Sequence, residues 1–220
     1  MFFLGYAKIF TDEGVIMKLG VERVEVGPWP MNCYLIRCQA TGSVAIVDPG
    51  ADTELILAAL GEGEPCCVLL THGHPDHIGA LDDVRRATGV PVGIHPGDAG
   101  AIGADADFPL LDGMEVEVGG GRVRVHHVPG HTPGSVCLRL DGEALVGDAI
   151  FPGGPGHTGS HQALRQSLRS LGATVFTWPD ETALHPGHGP STTVGAERPA
   201  FVAFMNSEHP RDLHGDVSWR

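Results

Sequence analysis

Seven residues limit what this chain can fold into: Thr71-His72-Gly73-His74-Pro75-Asp76-His77. They follow the apolar run Cys66-Cys67-Val68-Leu69-Leu70, which reads as a buried strand, and the glycine and proline among them stop both strand and helix. The product is a tight loop carrying three imidazoles and a carboxylate. Neutral imidazole and carboxylate are donors that Zn²⁺, Fe²⁺ and Mn²⁺ accept. His72 and His74 are two apart, so an extended loop can turn both to one side to chelate one ion. Asp76 and His77 open an expected helix and leave in another direction, which suggests a second ion beside the first.

Three distant segments repeat this setting. His131 lies in Val128-Pro129-Gly130-His131-Thr132-Pro133-Gly134-Ser135, Asp148 closes the strand-like Ala144-Leu145-Val146-Gly147-Asp148, and His188 lies in Leu184-His185-Pro186-Gly187-His188-Gly189-Pro190. Each donor stands where a β-rich segment gives way to glycine and proline. Loops at strand ends, held by a rigid sheet, are where reactive groups gather. The fold must therefore deliver several strand ends to one rim.

The series His72-x-His74-x-Asp76-His77, His131, Asp148, His188 resembles the metallo-β-lactamase superfamily, and more closely its glyoxalase II-like (hydroxyacylglutathione hydrolase-like) branch of small hydrolases. Asn32-Cys33-Tyr34-Leu35-Ile36, Val47-Asp48-Pro49-Gly50, Gly130–Ser135 and Pro186–Pro190 extend the match from about Val21 to Pro199. The resemblance implies an α/β fold, the four-layer αββα sandwich, with two divalent metal ions: Zn²⁺, with Fe or Mn as substitutes. It places His72, His74 and His131 on one ion, Asp76, His77 and His188 on the other, and Asp148 between them. It also implies a metal-bound hydroxide as nucleophile, oriented by Asp76, since coordination brings the pKa of water from about 15.7 towards 7. Asp48 is expected to support the ligand loops from behind.

The implied reaction is hydrolysis of thioesters of the hydroxyacyl-glutathione type. The alternatives are a persulfide dioxygenase holding one iron on His72, His74, His131 and Asp148, and a hydrolase of another ester or lactone. A non-catalytic metal-binding module is a third reading, although ligands that leave open positions serve catalysis better than structure. Full-length glyoxalase II enzymes carry a C-terminal helical region with basic residues for glutathione; here the stretch Ala196–Arg220 holds only Arg198, Arg211 and Arg220. The shorter bacterial type lacks that region too. His157, in Gly153-Gly154-Pro155-Gly156-His157-Thr158-Gly159, stands where many relatives carry an arginine, on a loop expected to overhang the metals, and is a candidate substrate-binding residue. His95, His126, His127, His161, His209 and His214 lack spacing partners and read as surface or packed histidines; His185 is expected to pack behind the site.

Composition narrows the partners. The formal charge is −13, from 14 basic and 27 acidic residues, without a Lys/Arg cluster, which opposes binding of phosphate backbones and argues against the nuclease branches of the superfamily. A small-molecule substrate is expected instead. No stretch approaches the ~20 apolar residues that span a bilayer. The five cysteines, Cys33, Cys38, Cys66, Cys67 and Cys137, form no CxxC pair and read as small buried hydrophobes of a reducing cytoplasm. Residues 1–16 read as an N-terminal extension, flexible or an added edge strand, with Met17 a second candidate start; 17–220 reads as one hydrolase domain.

Periodicity predicts strands at Val21–Val26, Asn32–Cys38, Ser43–Val47, Cys66–Thr71, Pro91–Ile94, Glu115–Val118, Arg122–Val128, Ser135–Leu140, Glu143–Gly147 and Glu181–Leu184. Helices are predicted at Thr53–Leu60, Asp76–Thr88 and Ser160–Leu171, with a short one at Arg198–Asn206. Ser160 is positioned to cap the third, whose Leu164, Leu168 and Leu171 form one apolar stripe.

Overall fold

Runs that are apolar at every position and runs that alternate sort into two sheets of six strands each. A computed structural model of the protein describes residues 17–103 and 106–219; the expected extension at 1–16 lies outside the described residues. In chain order the first sheet takes β1 (Leu19–Val26), β2 (Met31–Cys38) and β3 (Ser43–Val47), then helix α1 (Thr53–Leu60) leads to β4 (Glu64–Leu69). Helices α2 (Pro75–Ile78) and α3 (Leu81–Thr88) lead to β5 (Val92–Ile94) and β6 (Phe108–Pro109). These six strands lie side by side in chain order, antiparallel up to β3 and parallel from there on.

The second sheet begins with β7 (Glu115–Val118), β8 (Gly121–His127), β9 (Val136–Leu140) and β10 (Glu143–Gly147). A small hairpin, β11 (Ile150–Phe151) with β12 (Gly154–Pro155), precedes helix α4 (His161–Ala173), and β13 (Ala183–Pro186), β14 (Thr192–Thr193) and helix α5 (Val194–Met205) complete the chain's elements. The strand order is β14-β13-β10-β9-β8-β7, with β10 and β13 parallel.

Burial explains the patterns. On β2, Tyr34, Ile36 and Cys38 face the second sheet while Cys33 and Leu35 face α1 and α3, so the strand is apolar from Cys33 to Ile36. On β8, Val123 and Val125 pack between the sheets and Arg124 is exposed, which is the alternation read from the sequence. A third cluster, with Leu164, Leu168, Leu171, Phe201 and Phe204, seats α4 and α5 on the outer face of the second sheet. The layers are therefore helix, sheet, sheet, helix: the αββα sandwich. Ser160 caps α4 by accepting from the Ala163 amide at 3.2 Å.

Four expectations need correction. The helix expected over Asp76–Thr88 is two helices. Gly79 lies against the Gly50 carbonyl, and the Ala80 amide donates to Pro49 O at 2.9 Å, so the helical ladder breaks there. Helix α5 begins four residues before Arg198, because Thr193 caps it and Pro199 is accommodated within it. Strands β4 and β13 are shifted by about two residues from their expected bounds. The two-residue strands β6, β11, β12 and β14 are too short for periodicity to reveal. Among the described residues no helix is long and apolar enough to cross a membrane.

Candidate metal centre

Strands β3, β4, β8, β10 and β13 all end at one rim, and each hands the chain to a loop bearing a polar residue of the site. Asp48 follows β3, His72 and His74 follow β4, His131 follows β8, Asp148 follows β10 and His188 follows β13. Asp76 and His77 sit on α2, which Pro75 starts with its preset φ. The structure brings all seven expected donors together.

Three groups of three form, two of them made of the expected donors. His72, His74 and His131 offer one set of donor atoms within 4.8 Å of one another, and Asp76, His77 and His188 offer another. His131 Nε2 lies 2.9 Å from His74 Nδ1 and 3.3 Å from His72 Nε2. Tetrahedral ligands on bonds of about 2.0–2.1 Å stand roughly 3.3 Å apart, so these nitrogens are spaced as ligands of one ion. In the second group His188 Nε2 lies 3.0 Å from Asp76 Oδ2. Asp148 reaches both: its Oδ1 is 3.3 Å from His77 Nε2, and its Oδ2 is 3.7 Å from His131 Nε2 and 3.8 Å from His188 Nε2.

His77 and His72 are nearer than their sequence spacing suggests, with ring centroids 4.0 Å apart, because α2 turns His77 back beneath His72. His77 Nε2 and Asp148 Oδ1 are buried without a hydrogen-bond partner; their 3.3 Å approach lacks the alignment of a hydrogen bond. Two buried polar atoms aimed at one another and unsatisfied are costly unless something else binds them. That pair, with the crowded imidazole nitrogens, fits divalent cations.

The far sides of four of the five rings are held. His77 Nδ1 donates to Asp48 at 2.9 Å, His131 Nδ1 to His157 O at 2.8 Å and His188 Nδ1 to Pro30 O at 3.0 Å. His72 Nδ1 lies 3.1 Å from Thr71 Oγ1, whose hydroxyl donates to Asp48 at 2.5 Å. These contacts fix tautomer and ring orientation with Nε2 facing the site. Asp48 also accepts from the Thr71 amide at 2.7 Å, so one carboxylate sets both His72 and His77. It too lies within reach of these two rings, but as their anchor, as the sequence suggested.

Electrostatics follow the same geometry. Burial pushes the His72 imidazole well below its ordinary value, helped by the neighbouring histidines. Burial lowers His131 too. Burial opposes a charged His77, but Asp48 and Asp148 outweigh it and hold its pKa up at about 10. Burial would raise Asp148, yet His77 beside it brings the carboxyl below its ordinary range. A cation placed here would take over the role of the His77 proton.

Supporting residues that the motifs did not reveal complete the rim. Buried Asp98 accepts from the Gly73 amide at 3.0 Å, the Gly134 amide at 2.8 Å and Thr132 Oγ1 at 2.6 Å, tying the first ligand loop to the His131 loop. Its only sequence signal is an acid after Pro96-Gly97. Glu197, fully buried, accepts from the Gly153 amide and from Trp219 Nε1, anchoring the glycine-rich loop to the C-terminal segment. His157 stands on that loop with its side chain 60% exposed and its Nδ1 3.0 Å from Asp216 Oδ1. Gly187 makes the close packing possible, since a Cβ there would lie 2.3 Å from Asp148 Oδ1. His185 packs away from the donors, between Glu143 and Ser191. Arg198 bonds Asp180 and the carbonyls of Phe176 and Trp178, a structural role rather than a substrate contact.

The sequence model of the metallo-β-lactamase superfamily matches residues 26–188. The chain is 42% identical over 159 residues to a hydroxyacylglutathione hydrolase of Anaeromyxobacter dehalogenans, a match spanning 70% of this chain and 60% of that one. It is 30% identical over 217 residues to the hydroxyacylglutathione hydrolase GloC of Haemophilus influenzae, covering 86% of this chain and all of the other. Among solved structures, TTHA1623 in a di-iron-bound form superposes with a TM-score of 0.69 at 32% identity, over 80% of this chain and 96% of that one.

Proposed function

The chain belongs to the metallo-β-lactamase superfamily, and on that premise we propose that it is a dinuclear metal-dependent thioesterase acting on hydroxyacyl-glutathione-type substrates. The observation that carries the reading is the Asp148 carboxylate lying between two complete groups of three donors. A single-iron centre would use His72, His74, His131 and Asp148 of the same donor list, so the two readings part on metal count and substrate. The two hydroxyacylglutathione hydrolases support the choice of substrate, the second of them matched over its whole length.

His72, His74 and His131 would hold one ion, Asp76, His77 and His188 the other, and Asp148 both. Zn²⁺ is the proposed metal, with Fe or Mn also compatible with these donors. When bound, such a pair supplies Lewis acidity that makes a nucleophile of water at neutral pH and polarises a carbonyl. The chain's own groups do the positioning. Asp76 is half exposed, 52%, so water reaches its carboxylate, which can accept a hydrogen bond and orient the attacking oxygen. With His157 Nδ1 engaged by Asp216, Nε2 is the ring atom available to a substrate oxygen at the loop's edge. The departing thiolate is a stable anion and needs no protein acid.

Metal analysis coupled to a thioester panel tests the proposal. Two divalent ions per chain and thiol release from S-lactoylglutathione are expected. One ferrous ion per chain, with oxygen uptake on glutathione persulfide and no thioester hydrolysis, would replace it with the dioxygenase reading; hydrolysis confined to lactones or other esters would keep the centre and change the substrate.

A further inference from the structure

Pro65, Cys66 and Cys67 lie far from the rim, at the start of the central strand β4. Proline has no amide to give a ladder and is found inside sheets only at edges and bulges. Here it accompanies a bulge. Val44 pairs with Pro65 and Ala45 with Cys67, so Cys66 is the extra residue on its strand. Neighbouring residues of a regular strand point to opposite faces. The bulge cancels that alternation, and both cysteines join the cluster between the two sheets. Their sulfurs are 3.9 Å apart, Cys67 buried and Cys66 half-buried.

We propose that Cys66 and Cys67 form a chelating dithiol site that takes a monosubstituted trivalent arsenical, a soft metalloid held by two sulfurs at once. The adjacent Cα atoms are about 3.8 Å apart, below the ~4.4 Å lower end of ordinary disulfides, so a direct S–S bond is disfavoured. Inserting one large soft atom between the sulfurs relieves that constraint. Cys67 shares its proton with Cys66, which lowers the Cys66 thiol and raises Cys67. Cys66, the less buried of the two, is the sulfur that attacks first. With methylarsonous acid each thiol replaces one hydroxyl: two As–O and two S–H bonds break, two As–S bonds form, and two waters leave. Arsenic stays trivalent, so no oxidant or reductant is needed. The other thiols are solitary. Cys33 and Cys137 are buried and raised by desolvation, and Cys38 donates to Gly119 O at 3.1 Å.

The site is separate from the candidate metal centre. Six residues of extended chain from Cys66 to His72 span about 20 Å. The test treats the full-length, metal-loaded protein with methylarsonous acid, then reads intact mass and peptide maps. One methylarsenic unit per chain is expected on the Cys66–Cys67 peptide, resistant to excess glutathione and removed by dithiothreitol. Cys66→Ser, checked for folding by its melting curve, should lose the glutathione-resistant adduct. No adduct, an adduct on Cys33, Cys38 or Cys137, one stripped by glutathione, or one retained in folded Cys66→Ser would overturn the proposal. Should the variant fail to fold, the wild-type peptide map and glutathione challenge decide alone.

Discussion

Asp48 sits in the left-handed region at φ 51° and spreads three hydrogen bonds over Thr71 and His77. Asn tolerates that backbone but cannot accept at every contact. Asp48→Asn should therefore lower metal affinity by about 10–100-fold, the usual effect of losing a partner behind a ligand; competition against a chromogenic chelator measures it, and unchanged affinity would remove Asp48 from the centre. His77 supplies a pH prediction. Its pKa of about 10 in the metal-free protein lies above the ordinary 6.5. A raised value stabilises the fold fully below about pH 6.5, and that contribution is lost as pH rises through about 10. Metal-free protein should thus lose this part of its stability across that window. Loading metal near neutral pH should release about one proton from His77, seen as a buffer-dependent calorimetric heat. Buried His72, held well below its ordinary value, is already neutral and releases none.

At the scale of elements, the centre depends on loops that approach without side chains between them. Gly187→Ala would drive a Cβ to 2.3 Å from Asp148 Oδ1 and 2.4 Å from His77 Cε1. Overpacking of this kind costs about 1–3 kcal/mol. The expected outcome is a lower melting temperature together with weaker metal binding; a loss of stability with metal binding intact would place the clash away from the donors. The same loops explain what could be read in advance. The donors are legible because all but His77 stand beside glycine or proline at the end of an apolar run, and the long strands because their periodicity is clean. Asp98 and Glu197 were not, because an isolated acid carries no spacing signal and its importance arises only when distant amides converge on it. The break between α2 and α3 was hidden as well, since it comes from Pro49 and Gly50 pressing on the helix from outside its own sequence.

For the whole molecule, the two sheets contribute ligands in turn: the first supplies His72, His74, Asp76 and His77, and the second supplies His131, Asp148 and His188. Bound cations would clamp the sheets together. Free metal at 1,000 times its dissociation constant should add about 4.1 kcal/mol of stability per independent site, and chelation should remove it; a melting temperature indifferent to chelator would count against a metal between the sheets. The most direct measurement counts divalent ions per folded chain in the wild type and in Asp148→Ala, alongside thiol release from S-lactoylglutathione. Two ions in the wild type are predicted, with metal content reduced and turnover down by more than about 100-fold in the variant; a folded variant that keeps both ions and full activity would contradict a bridging Asp148.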